Sequence, residues 1–78
     1  MTLQRLDGAA LRRARLASGM SLQKTSIVMA RYHQLVTSET IRLWELNHSE
    51  PRITQFFLIC DVLRVKPSAL LSPVEVDL

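Results

Sequence analysis

The sequence predicts a small all-α domain built from five helices. Apolar residues recur at helical spacing in several short stretches, as in Leu11 with Ala14 and Ile41 with Trp44. The chain has only four aromatic residues and few β-branched runs, and two Gly and three Pro leave little of it as linker. A chain of 78 residues fits one compact domain with a marginal core, so oligomerisation is a plausible source of further stability.

Residues that favour helix ends predict where each helix lies. Asp7 is a good N-cap, and Gly19 suits the left-handed position after a helix. The end of the second helix stays open, because residues 30–36 contain neither Gly nor Pro. The predicted helices cover about Asp7–Ser18, a stretch beginning at Ser21, Thr37 or Ser38 to about Leu46, Ile53–Arg64, and a short fifth helix from Pro67 to near Leu71.

The chain is predicted to divide into a domain, residues 1–72, and a C-terminal tail, residues 73–78. In the tail Val74, Val76 and Leu78 alternate with Glu75 and Asp77, which is the period of a β-strand. A single strand is not stable alone. Two alternatives stay open: the tail is disordered, or it pairs with a copy of itself as a dimerisation strand.

Charge and composition favour a nucleic-acid partner over an enzyme. The net charge is +3, and residues 1–71 hold ten basic and five acidic residues, a net charge of +5. Such a balance suits a polyanion. The sequence holds no paired carboxylates, no nucleophile with a convincing base and no Gly-rich phosphate loop, so neither catalysis nor a cofactor is expected.

Cysteine usage and hydropathy predict a cytoplasmic protein. Cys60 is the only cysteine, which fits a reducing compartment, and its apolar neighbours favour a buried position. His33 and His48 show no ligand spacing to it, so no metal site is expected. No apolar run approaches the ~20 residues of a membrane span, and the N-terminal stretch lacks the apolar segment of a secretion signal.

The third predicted helix has one apolar face and one chemically varied face. Ile41 and Trp44 fall three apart and are expected to pack inward. The opposite face is expected to project outward and consists of Ser38, Glu39, Arg42 and Leu43. This division is typical of a short helix that packs on a core and presents its other side to DNA.

The chain resembles the Cro/C1-type helix-turn-helix family of phage and bacterial repressors, also called the XRE family. The resemblance covers about Leu11 to Leu71 and implies a compact five-helix, lambda repressor-like fold. The residues that carry it are Arg15 with Gly19-Met20-Ser21, Thr37 through Ile41, Trp44-Glu45, Pro51, Ile53 to Leu63, Val65 and Leu70. The resemblance also implies an ion pair between Arg15 and Glu45 that joins the first and third helices.

The chain departs from the family in helix 2 and in the turn after it. Thr25-Ser26 stands where the family usually has Leu-Ala, and Leu22 precedes Gln23 where the family starts with Ser-Gln. The segment from Met29 to Val36 is about five residues longer than the family's turn and has no Gly.

The resemblance implies that helix 3 lies in the major groove, where each base pair displays a distinct edge. There Glu39 would accept from the cytosine amino group, Arg42 would fork onto guanine or grip a phosphate, and Leu43 would touch a thymine methyl. Ser38 would bond a base or a phosphate, and Thr37 and Thr40 would support the helix start or reach a phosphate. Non-specific contacts to phosphates are expected from Gln23, Lys24, Arg31, His48 and Arg52.

The function implied is sequence-specific binding of double-stranded DNA by a transcriptional regulator, a repressor acting as a homodimer on a two-fold operator. The alternative is an antitoxin-like or anti-repressor protein that uses the same fold to bind a protein partner. The apolar tail residues Val74, Val76 and Leu78 motivate that alternative.

Overall fold

The computed structural model describes residues 2–75, which form four α-helices, one 3-10 helix and a two-stranded antiparallel sheet. The elements in chain order are β1 (Thr2–Leu6), α1 (Gly8–Ala17), α2 (Leu22–Ala30), α3 (Ser38–Glu45), α4 (Ile53–Leu63), the 3-10 helix (Pro67–Leu70) and β2 (Leu71–Glu75). The prediction of a five-helix all-α fold is therefore wrong. The fifth predicted helix is a single 3-10 turn, and both ends of the described chain are strands.

The sheet joins the two ends of the described chain. β1 pairs with β2 in antiparallel register, with Leu6 opposite Leu71 and Thr2 opposite Glu75. Residues 73–75 of the predicted tail thus lie in β2 and pair within the chain, which neither alternative for the tail anticipated. Residues 76–78 lie outside the described residues.

β1 could not be predicted from local pattern because its apolar residues, Leu3 and Leu6, are three apart. A half-buried strand shows apolar residues at alternate positions, and this stretch does not. The fifth predicted helix fails for a different reason. Pro67 begins it as expected, but only the four residues Pro67–Leu70 are helical before the chain extends into β2. Four residues are too few for α-helical hydrogen bonding, so they form a 3-10 turn.

The predicted helix caps are confirmed where a short polar side chain begins a helix. Asp7, Ser21 and Thr37 have extended backbones, and each side chain accepts a hydrogen bond from the amide three residues on. Gly19 has a φ of 72°, the left-handed value expected after α1. α2 ends at Ala30, so it does not continue past Arg31.

The core lies between the four helices and the inner ends of the strands. Trp44, Ile41 and Cys60 are buried in it, as their sequence positions predicted. Phe56 is half-buried at the margin of the core, and Phe57 is 50% exposed. The largest fully buried side chains are those of Trp44, Leu11, Met29, Ile41, Ile59, Leu70, Thr25 and Cys60.

The longest helix in the described part of the chain, α4, has 11 residues, and none there is long and apolar enough to cross a membrane.

Candidate nucleic-acid interface

Helix α3 is seated on the core by three residues of its inner face. Ile41 and Trp44 are fully or almost fully buried, and Glu45 is buried beside them. Because buried apolar side chains occupy well-defined positions in a close-packed interior, they fix the rotation of α3 about its axis. The opposite face of the helix must then point to solvent.

An ion pair between α1 and α3 also holds α3 in this position on the core. Arg15 Nε donates to Glu45 Oε2 at 2.6 Å, and Arg15 Nη2 donates to Glu45 Oε1 at 3.0 Å. Arg15 is only 6% exposed, and its Nη1 donates to the carbonyl of Met20 at 2.9 Å. The carboxylate raises the pKa of Arg15, chiefly through the hydrogen bonds. The predicted Arg15–Glu45 pair is confirmed, and it also holds the turn between α1 and α2.

The C-terminal end of α3 is tied to the junction of β1 and α1 by Asn47. Asn47 has a φ of 58°, a left-handed conformation that Asn tolerates at the end of a helix. Its amide nitrogen donates to the carbonyl of Leu6 at 2.9 Å, and its amide oxygen accepts from the backbone of Gly8 at 3.0 Å. One side chain therefore connects β1, α1 and α3.

Gly8 permits this close approach. A Cβ at position 8 would overlap the carbonyl of Glu45 and lie 2.5 Å from the carbonyl of Trp44 and 2.7 Å from Asn47 Oδ1. Since real Cβ atoms do not come so near to backbone oxygens, only glycine lets α1 begin against the end of α3.

The seven residues between α2 and α3, residues 31–37, form a long turn held at two points. The backbone N–H of Gln34 donates to the carbonyl of Met29 at 3.2 Å. The preceding residue, His33, has a left-handed φ of 65°. The hydroxyl of Ser26 donates to the carbonyl of Val36. The turn is thus anchored to α2 although it is longer than a usual helix-turn-helix connection.

Thr25 and Ser26, two of the residues by which α2 departs from the family that the chain resembles, have specific structural roles. Thr25 is fully buried, and its hydroxyl donates to the carbonyl of Ser21 at 2.9 Å. Ser26 supplies the bond to the turn. A polar pair replaces the usual apolar one here, and its hydroxyls find backbone acceptors, as polar groups in an interior require.

The outward face of α3 agrees only in part with the prediction, because Glu39 and Arg42 are exposed whereas Ser38 and Leu43 are half-buried. Thr37 caps the helix by accepting from the amide of Thr40 at 3.1 Å, and the two hydroxyls are 2.9 Å apart. Glu39 and Arg42 are exposed. The remaining members are half-buried at the margin of the face: Ser38, Thr40 and Leu43.

Glu39 and Arg42 form a bidentate ion pair on this face. Arg42 Nε donates to Glu39 Oε2 at 2.9 Å, and Arg42 Nη2 donates to Glu39 Oε1 at 2.7 Å. The hydrogen bonds from Arg42 lower the pKa of Glu39, and the carboxylate raises the pKa of Arg42 by the same contacts. The pair leaves the guanidinium edge formed by Nη1 and Nη2 directed away from Glu39.

The other predicted contact residues are exposed but lie on separate elements. Gln23 and Lys24 are in the first turn of α2, and the amide of Lys24 donates to the cap hydroxyl of Ser21 at 3.0 Å. Arg31 is the C-cap of α2, and His48 follows α3 with its amide donating to the carbonyl of Leu43 at 2.9 Å. Arg52 is the exposed N-cap residue of α4.

The sequence did not predict the contacts of three residues that hold the candidate interface: Gly8, Ser26 and Asn47. The left-handed position of Asn47 could be predicted from its residue type, but its contacts to Leu6 and Gly8 join residues about 40 positions apart. Within residues 2–75, no cluster of three or more His, Cys, Asp or Glu side chains could hold a metal ion.

Comparison of the chain with protein-family models, with curated proteins and with solved structures found no match.

Proposed function

We propose that this protein is a sequence-specific DNA-binding regulator of the helix-turn-helix type, similar to Cro/C1 repressors, that places α3 in the major groove. The observation that carries the proposal is the division of α3. Its inner face is fixed by Ile41, Trp44 and the Arg15–Glu45 pair, while its outer face offers Glu39 and Arg42 to solvent. A helix with a fixed rotation and a polar outer face can hold the same register on successive base edges.

Arg42 is the main reading residue in this proposal. Glu39 grips the edge of its guanidinium that contains Nε, so the edge formed by Nη1 and Nη2 is pre-oriented. That edge is a two-donor fork that matches O6 and N7 of guanine. Glu39 then acts first as a positioning residue, and its remaining lone pairs can accept from a cytosine amino group.

The margin of the face and the neighbouring elements supply further contacts. The side chain of Leu43 suits a thymine methyl, and the hydroxyls of Ser38 and Thr40 suit phosphate oxygens. The exposed side chains of four further residues would contact phosphates independently of DNA sequence: Gln23, Lys24, Arg31 and His48. A domain of this size covers few base pairs, so we propose that it acts as a repressor in the form of a homodimer on a two-fold operator.

The decisive experiment is selection of bound duplexes from a random pool, followed by affinity measurements at several salt concentrations. Wild-type protein should enrich a two-fold symmetric motif. Arg42→Ala should lose preference at one guanine position in each half-site, at a cost of roughly 1–3 kcal/mol for each half-site.

Lys66→Ala is the matched control, because it also removes one exposed positive charge but lies between α4 and the 3-10 helix. It should leave the selected motif unchanged. An equal loss for Arg42→Ala on every duplex, with a salt slope reduced by about one, would make Arg42 a phosphate contact instead of a reader. Failure of the wild-type protein to enrich any motif would refute the proposal as a whole.

A second candidate function, binding of a protein partner, is favoured by the turn between α2 and α3. Leu35 is 86% exposed there, and Tyr32 in the same turn is also largely exposed. Exposed large apolar side chains close together are typical of interaction sites. The variant Leu35→Ser separates the two functions, since it should weaken a protein complex and leave the base preference set by Arg42 intact.

A further inference from the structure

The hydrogen-bonding directions along the two strands follow from one observed bond. The amide of Asp7 donates to the carbonyl of Leu70 at 2.8 Å, directly beyond the paired residues Leu6 and Leu71. In an antiparallel ladder, residues that exchange hydrogen bonds alternate with residues whose backbone groups point away from the partner. The backbone N–H and C=O groups of Leu3 and Arg5 therefore form hydrogen bonds with β2. The corresponding groups of Thr2, Gln4 and Leu6 point away from β2, towards the outer edge of β1.

The outer edge of β2 is unsuited to a further strand. By the same alternation, Leu71, Pro73 and Glu75 point outward there, opposite Leu6, Gln4 and Thr2. Pro73 occupies the middle of that edge and has no N–H to donate. A proline on the outer side of an edge strand is a common means of preventing strand addition.

The outer edge of β1 is open over only part of its length. The outward carbonyl of Leu6 already accepts from the side chain of Asn47, which lies in the loop between α3 and α4. In the same loop, Glu50 Oε1 lies 3.6 Å from Arg5 Nη2. The loop between α3 and α4 thus flanks this end of the strand. The outward backbone groups of Thr2 and Gln4 lie beyond it, and Gln4 is exposed.

An apolar row crosses the sheet at the open end of β1. Leu3 lies opposite Val74, and both side chains are on the same face because they are a directly paired position. Leu3 is 50% exposed and Val74 is half-buried. A two-stranded ribbon alone is marginally stable. The row ends at the edge of β1, where the outward backbone groups of Gln4 have no hydrogen-bond partner within residues 2–75.

We propose that β1 pairs in antiparallel fashion with β1 of a second copy of this chain, centred on Leu3. In this register Leu3 faces Leu3 of the second copy, and Gln4 exchanges backbone hydrogen bonds with Thr2 of the second copy. The apolar row then runs without interruption through Val74, Leu3, and the Leu3 and Val74 of the second copy. The same surface is used by both copies, so the pairing obeys a two-fold axis.

The alternative register, centred on Gln4, fits less well. It places Leu3 opposite Arg5 of the second copy, which breaks the apolar row. It also places Thr2 opposite Leu6, where Asn47 occupies the outward carbonyl. Because the other edge is blocked by Pro73, assembly through β1 closes at two copies instead of extending into a fibre.

The test is the oligomeric state of the full chain without DNA, measured by sedimentation equilibrium up to on the order of 100 µM. Only the expectation of a two-fold dimer rests on the proposed function, so this experiment can fail or succeed separately from DNA binding. Wild-type protein should be a dimer. Leu3→Lys and Leu3→Glu should each raise the dimer Kd by about tenfold or more, because like charges then face each other and apolar area is lost.

An equimolar mixture of Leu3→Lys and Leu3→Glu should recover the dimer as a mixed species. Leu16→Lys, which introduces the same charge at a leucine of α1 that is 53% exposed and outside the sheet, should dimerise like wild type. A monomeric wild-type protein, or a dimer insensitive to charge at position 3, would overturn the proposal. A dimer strengthened by Leu3→Glu and weakened by Leu3→Lys would also overturn it, since that result fits pairing with Arg5 in the alternative register.

Cross-linking gives a second measurement of the same geometry. In a non-hydrogen-bonded antiparallel pair the Cα atoms are ~4.5 Å apart, within the range that a disulfide spans. Leu3→Cys should therefore oxidise readily to a covalent dimer, while Leu16→Cys should not. Cys60 is 1% exposed and should not take part. Equal rates of cross-linking at positions 3 and 16 would contradict the proposed pairing.

Discussion

Glu45 accepts two hydrogen bonds from Arg15, at 2.6 Å from Nε and 3.0 Å from Nη2, in a buried ion pair between α1 and α3. The third contact of the guanidinium, from Nη1 to the carbonyl of Met20, reaches the turn before α2. The charge of Glu45 therefore fixes the positions of all three helices that build the candidate interface.

Removing Glu45 should destabilise the protein strongly. Glu45→Ala leaves the guanidinium of Arg15 buried without its carboxylate, and breaking a buried pair in this way typically costs about 3 kcal/mol or more. Chemical denaturation should show the loss in the free energy of unfolding. Glu50→Ala is the control, because it breaks the exposed Arg5–Glu50 pair and should cost below about 1 kcal/mol. Equal losses for the two variants would show that the burial of the Arg15–Glu45 pair is unimportant.

A methyl group at position 8 should displace α3 from its position against α1. Gly8→Ala forces its Cβ against the carbonyls of Trp44 and Glu45, and overpacking of this kind costs about 1–3 kcal/mol. Amide chemical shifts should change at the end of α3 as well as near residue 8. Ala9→Ser, at the exposed neighbouring position, should change the stability by less than about 0.7 kcal/mol and leave α3 unmoved. Normal stability of Gly8→Ala would mean that α1 and α3 are not in close contact.

The bond from Ser26 to the turn predicts a local effect. Ser26→Ala removes the hydroxyl that donates to the carbonyl of Val36, so the free energy of unfolding should fall by about 1 kcal/mol. Hydrogen exchange should accelerate in residues 31–37 more than elsewhere. Ser18→Ala removes the bonds from the Ser18 hydroxyl to the carbonyls of Ala14 and Leu63 and should leave exchange in the turn of residues 31–37 unchanged. Uniform acceleration in Ser26→Ala would show that the turn does not depend on this contact.

The Glu39–Arg42 pair can be followed by titration of the Glu39 carboxyl. Hydrogen bonds from Arg42 hold the pKa of Glu39 below its ordinary value, so carbon NMR should find that pKa rising towards the ordinary value in Arg42→Gln. Since the folded pKa is depressed, the contribution of the pair to stability is present above the unfolded pKa. It disappears as the pH falls through the folded pKa. The loss should be small because both side chains are exposed. An unchanged Glu39 pKa in the variant would show that the pair does not form in solution.

Local sequence signals located most of the helices and the outer face of α3. Asp7, Ser21 and Thr37 begin helices because a short polar side chain meets a free amide three residues on, an interaction within one turn. The spacing of Ile41 and Trp44 was enough to predict which face of α3 is buried. The Arg15–Glu45 pair was predicted from the family resemblance, since nothing in the local sequence connects residues 30 positions apart.

The four α-helices, their starts and the residue types on the outer face of α3 could be predicted from the sequence, since they depend on neighbours within a few residues. The tertiary structure decided the pairing of β1 with β2, the approach of Gly8 to the end of α3 and the blocking of one sheet edge by Pro73. Each of these joins segments distant in the chain, so the favourable contact appears only after the helices have packed. A five-residue strand such as β1 has too little side-chain pattern to specify its partner, and the fold supplies that partner through backbone hydrogen bonds.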